Sequence, residues 1–238
     1  MLEVLNYSIS SQLPAIPENG KIVVNTINPH SYCLAENDQV FKQALRSSDY
    51  LLPDGIGIVW AAKFLNGVRI NKIAGYDLFL HLMNELERTK GSCFFLGASE
   101  KTLSLIKKRA TKDFPGVKVE THSPPYKSVF SLEDNNAIVD KIQMFNPDVL
   151  FVGMTAPKQE KWVHDNKNEI TANLICSIGA VFDFYAGTVK RPSKFWINLK
   201  LEWFVRFIKE PKRLWRRNFI STPVFVCRVI ITKFSKLF

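Results

Sequence analysis

Leu51-Leu52-Pro53-Asp54-Gly55-Ile56-Gly57 sets one carboxylate between an apolar run and two glycines. Leu51 and Leu52 read as the end of a buried strand, and Pro53 lacks the N–H that would extend its ladder. Asp54 then stands at the strand's carboxyl end, and Gly55 and Gly57 open a helix carrying Ile58, Val59, Trp60 and Phe64. A carboxylate on such a turn, with little side-chain bulk around it, can take a proton from a substrate hydroxyl. The alternative is that Asp54 only caps the helix, a position Asp favours. Thr26 and Asn28 follow the β-branched run that begins at Lys21. They also fall at a strand's carboxyl end, and would add a hydroxyl and an amide to the same crevice. The competing reading makes them turn and cap residues. Gly97-Ala98-Ser99 closes a third apolar run and could bring backbone N–H groups to a phosphate at a helix start.

Other chemistries find no support. There is no G-x-G-x-x-G and no G-K-[ST], so neither the dinucleotide fingerprint nor a Walker loop is present. No Asp-x-Asp signals a metal clamp on a nucleotide diphosphate, and Glu36-Asn37-Asp38 reads as the solvated middle of a helix. Cys33, Cys93, Cys176 and Cys227 are scattered without a C-x-x-C, which fits reduced thiols in a cytosolic protein. His30, His81, His122 and His164 form no catalytic order; His30 reads as a helix-start residue close to the crevice. If a diphosphate leaves, side-chain cations must meet its charge, and Arg206, Arg213, Arg216 and Arg217 are the supply.

The elements that must position these groups alternate. Apolar runs end near Thr26, Pro53, Leu96, Thr121, Met154 and Ile178, with helical patterns between them. Helices are expected at about 31–46, 55–66, through Leu78, Leu82 and Leu86, at 101–112, at 135–145 and from Pro157 onward. Residues 1–20 read as a strand or arm. The runs look apolar on both faces, which predicts an α/β fold: a mostly parallel, Rossmann-like sheet with helices on both sides.

Of 238 residues, 46% are hydrophobic and 23% charged, enough for a sizeable core. The net charge of +10 is concentrated at one end: residues 190–238 hold 13 Lys/Arg against Glu202 and Glu210. We therefore expect a catalytic α/β unit over 1–189 and a basic, aromatic-rich helical appendage over 190–238. Trp196, Leu199, Trp203 and Phe207 lie near helical spacing, and Arg213, Arg216 and Arg217 share a face. Basic and aromatic residues interleaved on short helices suit the surface of an anionic membrane. No stretch is long and apolar enough to span a bilayer, and residues 1–21 show no signal-peptide pattern. A second reading, a non-enzymatic α/β binding module whose basic tail grips nucleic acid, leaves the polar groups at the strand ends without a use.

Taken together the motifs resemble the WecG/TagA/CpsF family of bacterial glycosyltransferases. The matching stretches are Thr26-Ile27-Asn28, Pro53-Asp54-Gly55-Ile56-Gly57, Gly75-Tyr76-Asp77-Leu78, Phe95-Leu96-Gly97, Pro157-Lys158-Gln159-Glu160, Phe182 to Gly187, Lys190-Arg191, and Leu201-Glu202-Trp203 through Arg217. The resemblance implies an inverting transferase that needs no metal or other cofactor. It would move a sugar from a UDP-sugar to a polyprenyl-diphosphate-linked sugar in surface polysaccharide synthesis. The donor sugar is left open among an N-acetylmannosamine type, a uronic acid and a hexose. By position, Asp54 is implied as general base, and Thr26 and Asn28 as sugar or acceptor contacts. Tyr126 and Asp183 are implied as nucleotide contacts, with Gln159 in the same pocket. Arg206, Arg213 and Arg216 would steady the diphosphate, and Lys72 and Arg191 are further implied substrate contacts. The implied location is peripheral, on the cytoplasmic face of the membrane; no nucleic-acid partner is expected and homo-oligomerisation is left open. Three places depart from the pattern. Lys72 stands where the family usually has Arg, Thr155-Ala156 replaces Gly-Ser before Pro157, and Pro124-Pro125 replaces the residues before Tyr126.

Overall fold

Six apolar runs form one parallel sheet in the computed structural model, which describes residues 1–193, 195–196 and 202–235, apart from the side chains of Glu202, Arg206, Lys209 and Arg213. A short antiparallel hairpin comes first, β1 (Leu2–Val4) and β2 (Tyr7–Ile9), turning on Leu5 and Asn6 at positive φ. The sheet strands are β3 (Ile22–Ile27), β4 (Tyr50–Pro53), β5 (Ser92–Gly97), β6 (Lys118–His122), β7 (Val149–Gly153) and β8 (Leu174–Ser177). Their order is β4-β3-β8-β7-β5-β6, with every neighbouring pair parallel. The helices are α1 (Pro29–Ala35), α2 (Gln39–Arg46), α3 (Ile56–Asn66), α4 (Gly75–Thr89), α5 (Glu100–Asp113), α6 (Leu132–Phe145), α7 (Lys158–Asn166) and α8 (Val181–Ala186). The described C-terminal part adds α9 (Glu202–Lys209), α10 (Pro211–Trp215), a π-helical turn (Arg216–Ser221) and α11 (Thr222–Ser235).

Strand alternation divides the core. Phe95, Phe151 and Cys176 point to one face and pack with Leu78, Phe79 and Leu82 of α4, Ile106 of α5 and Phe182 of α8. Phe94, Leu96, Leu150 and Val152 point to the other and meet Ile138 and Ile142 of α6 and Trp162 and Val163 of α7. All five residues of β7 are buried, as a strand covered on both faces requires. The expected Rossmann-like parallel sheet is what the chain forms. A third cluster lies beside β4, where Tyr7, Tyr32, Phe41, Ile58, Phe225 and Val229 gather. Phe225 of α11 is fully buried there, edge-on to Tyr32 with ring centroids 5.2 Å apart.

Local chemistry corrects several boundaries. The helix expected over 31–46 is two helices, because the Asp38 carboxylate accepts from Phe41 N–H at 3.0 Å and starts α2 afresh. Glu36-Asn37-Asp38 is thus the break between helices, not the middle of one. The helix expected from Asn135 begins at Leu132, where Ser131 and Asp134 form a capping box. Pro157, expected near the first helical position, is the N-cap of α7. Of the expected stripe Trp196, Leu199, Trp203 and Phe207, Leu199 lies outside the described residues. The segment from Val224, expected to lie at a surface, buries Phe225 and Val229 and exposes Val224, Ile231 and Phe234. Among the described residues no helix is long and apolar enough to cross a membrane.

Candidate active site

Because all six strands run the same way, their carboxyl ends line one edge of the sheet, where open α/β sheets bind ligands. At the β3–β4 end, Ile27 lies opposite Pro53, and Asp54 N–H donates to the Ile27 carbonyl at 2.9 Å. The Ile73 N–H donates to the Pro53 carbonyl at 2.9 Å, which brings Lys72 beside the same turn. Thr26, Asn28, Asp54 and Lys72 therefore gather at one end of the edge, all half-buried. Gly55, not Asp54, is the N-cap of α3, and no side chain caps that helix. Its φ of +99° is strained for any side chain. Gly57 allows a close approach: a Cβ there would stand 2.5 Å from Pro29 Cγ. The first turns of α1 and α3 are thus packed together, with Asn28 and Asp54 at their heads.

Asn28 does cap its helix. Its Oδ1 accepts from His30 N–H at 3.0 Å and Ser31 N–H at 3.1 Å, while Ser31 Oγ accepts from Asn28 N–H at 2.8 Å. The amide NH₂ is the part of that carboxamide that can serve a ligand. The cap reading of Asn28 holds, and it uses Oδ1 alone.

The centre of the edge is built by the ends of β7 and β8. Gln159 is buried in the first turn of α7; its Oε1 accepts from Met154 N–H at 3.2 Å and its Nε2 donates to Glu160 Oε1 at 2.8 Å. Gly179 closes over it, since a Cβ there would lie 3.3 Å from Gln159 Oε1. Glu160 is 3% exposed, and burial pushes its carboxyl up to about 7. Its Oε2 has no partner among the described residues. Asp183, in the first turn of α8, accepts from Thr188 Oγ at 3.2 Å.

At the far end, Ser99 caps α5 by accepting from Thr102 N–H at 3.2 Å, and Ser123 Oγ donates to the Ala98 carbonyl at 2.7 Å. The Ala98 N–H is taken by the Gly153 carbonyl at 3.2 Å, so that amide is not available to a phosphate. Tyr126 is fully exposed. Its loop leads back toward α7, where Lys158 Nζ lies 3.7 Å from the Phe130 ring centroid.

The C-terminal part reaches the β3–β4 end. His30 Nδ1 and Ser221 Oγ are 2.8 Å apart, and Cys33 Sγ donates to the Ser221 carbonyl at 3.3 Å. Burial, and then the Arg217 charge, hold the His30 imidazole below its ordinary value. Arg216 is exposed and Arg217 half-buried, both at the start of the π turn Arg216–Ser221. Arg191 is held at the N-terminus of α4, 3.6 Å from Asp77 and 4.3 Å above the Tyr76 ring. The side chains of Arg206 and Arg213 lie outside the described residues.

The profile of the Glycosyl transferase WecG/TagA/CpsF family matches residues 4–237. The chain is 33% identical over 215 residues to the N-acetylglucosaminyldiphosphoundecaprenol N-acetyl-beta-D-mannosaminyltransferase of Bacillus spizizenii, covering 90% of this chain and 81% of that one. The protein of the same name from Bacillus subtilis is 32% identical over 208 residues, covering 87% and 78%. The one from Staphylococcus aureus strain MW2 is 26% identical over 212 residues, covering 89% and 81%. This chain belongs to the WecG/TagA/CpsF glycosyltransferase family. That sets aside the non-enzymatic binding module.

In this glycosyltransferase the residues singled out from sequence fall into groups. Thr26, Asn28, Asp54 and Lys72 share the β3–β4 end, Gln159 and Asp183 the middle, and Tyr126 the loop beyond β6. Arg191 stands against the first turn of α4. Two features escaped sequence reasoning. Glu160 gave one signal: an acid three residues before Val163, on the face α7 turns to the sheet. The His30–Ser221 pair gave none, because 191 residues separate its members.

Proposed function

We propose that this glycosyltransferase moves an N-acetylmannosamine-type sugar from a UDP-sugar to a polyprenyl-diphosphate-linked sugar, by inversion and without a metal. The observation that carries the reading is the carboxylate of Asp54 at the end of β4, beside Thr26 of β3 and Asn28 at the head of α1. The relatives' names supply the transferred sugar and the acceptor class. The acceptor sugar's hydroxyl oxygen attacks the anomeric carbon from the face opposite UDP. Its proton passes to Asp54, the bond to the diphosphate oxygen breaks, and UDP leaves with the electron pair. Asn28 orients the acceptor through its NH₂, and Thr26 and Lys72 line the same end. Gln159, Asp183 and the Tyr126 loop hold the nucleotide. Arg206, Arg213 and Arg216 meet the charge that develops on the diphosphate, the electrostatic contribution that often dominates catalysis. Arg191 supports the substrate side indirectly, through Asp77 and Tyr76. Metal independence rests on the lack of an Asp-x-Asp clamp in the sequence together with this supply of arginines. The basic segment 190–238 docks the enzyme on the anionic cytoplasmic face of the membrane, where such an acceptor resides.

The test is UDP release by the purified protein with UDP-N-acetylmannosamine and a short-chain polyprenyl-diphosphate-N-acetylglucosamine, in EDTA. Release should depend on the acceptor and survive chelation. Asp54→Asn should reduce kcat roughly 10²–10⁴-fold with its circular dichroism unchanged. Full activity in Asp54→Asn would remove the general-base role, and release only with added Mg²⁺ would remove metal independence.

A further inference from the structure

The π-helical turn Arg216–Ser221 is a local departure from regular helix, of a kind often found at functional sites. It is pinned where it meets α1. Ser221 is buried, its hydroxyl is 2.8 Å from His30 Nδ1, and its carbonyl accepts from Cys33 one turn further along α1. One turn beyond Ser221, the fully buried Phe225 packs on Tyr32. His30 is in turn tied to the sheet edge, since its backbone N–H is one of the two that Asn28 Oδ1 accepts. A continuous set of contacts thus runs from Asn28, beside Asp54, through His30 to the turn that carries Arg216 and Arg217.

We propose that His30 is a positioning residue: through Ser221 it holds the Arg216–Ser221 turn against the N-terminus of α1 and so fixes Arg216 relative to Asn28 and Asp54. The consequence for catalysis rests on the reading that Arg216 meets the substrate diphosphate; the hold itself does not. His30 is suited to the task because it is neutral at pH 7, its charged form being disfavoured by burial and by Arg217. A neutral ring bearing its proton on Nε2 accepts at Nδ1 from the serine hydroxyl. A cation at that position would repel Arg217 and push the turn away.

The experiment compares wild type, His30→Ala, Ser221→Ala, the double variant and His30→Asn, whose amide can reach near the Nδ1 position. Hydrogen exchange of peptides covering 216–221 and steady-state kinetics in the polyprenyl-diphosphate-sugar acceptor are measured on the full chain. We expect faster exchange in both single variants and no further gain in the double. With saturating acceptor, kcat should fall roughly two- to tenfold with KM for the acceptor little changed, the size of one lost hydrogen bond. His30→Asn should restore part of both. Unchanged exchange in His30→Ala and Ser221→Ala overturns the hold. Faster exchange with unaltered kcat overturns the positioning role. If wild type transfers no sugar, the proposed function fails, while the exchange measurement still decides whether His30 holds the turn.

Discussion

Two carboxylates near the sheet's carboxyl edge meet opposite surroundings. Asp54 is half-buried on a turn flanked by glycines, whereas Glu160 is sealed beneath the first turn of α7 with Gln159 as its hydrogen-bond partner. Burial raises the Glu160 pKa from the ordinary carboxyl value of 4.5 to about 7. Between those values the folded chain holds a proton that the unfolded chain releases. Stability therefore falls as pH rises from 4.5 and levels off above about 7. Glu160→Gln keeps an acceptor for the Gln159 amide and cannot ionise. Its melting temperature should match wild type at pH 4 and exceed it by pH 8, by the equivalent of up to about 3 kcal/mol. Thermal unfolding across pH 4–9 checks this, and parallel curves would mean that Glu160 ionises in the folded chain at the same pH as in the unfolded one. The same carboxyl fixes which way the Gln159 amide points, a detail of one residue that the proposed nucleotide site depends on.

Helix α1 after β3 and helix α3 after β4 start side by side, and the register of Ile27 against Pro53 keeps their first turns level. Gly57 is what lets them close, since a methyl there would press on the Pro29 ring. Gly57→Ala is expected to cost about 1–3 kcal/mol, as other overpacking substitutions do. Because Pro29 follows Asn28 directly, the displaced ring should disturb the Asn28 cap, and activity should fall further than stability. Urea unfolding and turnover measured on the same preparation give the two numbers. A loss of stability with turnover retained would show that the edge tolerates a wider gap between the helices.

At the scale of the whole molecule, one helix joins a basic, aromatic surface to the catalytic edge. Along α9 to α11, Trp203, Trp215, Phe219, Ile231 and Phe234 are exposed, whereas Phe225 and Val229 enter the core beside Tyr32 and Ile58. The exposed rings stand with the exposed Lys212, Arg216 and Arg228 on a segment anchored at α1. We expect the protein to float with vesicles containing phosphatidylglycerol and much less with phosphatidylcholine alone. Raising NaCl from about 0.1 to 0.5 M should weaken that binding by screening, and Trp215→Ser should weaken it further at either salt concentration through loss of interfacial aromatic area. Equal binding to both lipids would remove the electrostatic part of the docking.

Elements and chemistry were legible where the physics is local. The fully apolar β7 run announced a strand buried on both faces, and alternating strands and helices announced the parallel sheet. Pro53-Asp54-Gly55 marked a carboxylate at a strand end because proline, glycine and aspartate each act on the backbone beside them. Asn28 was legible as a cap for the same reason. The break at Asp38 was local too, yet apolar periodicity continues across it and hid the cap. What only the tertiary structure decided depends on residues distant in the chain. The strand order β4-β3-β8-β7-β5-β6 puts Asn28 beside Asp54 and leaves Tyr126 beyond the opposite strand. Burial, which depends on every neighbour at once, seals Glu160 and raises its pKa. The pairing of His30 with Ser221 carries no local pattern at all, since it exists only once α11 has docked its phenylalanine into the core.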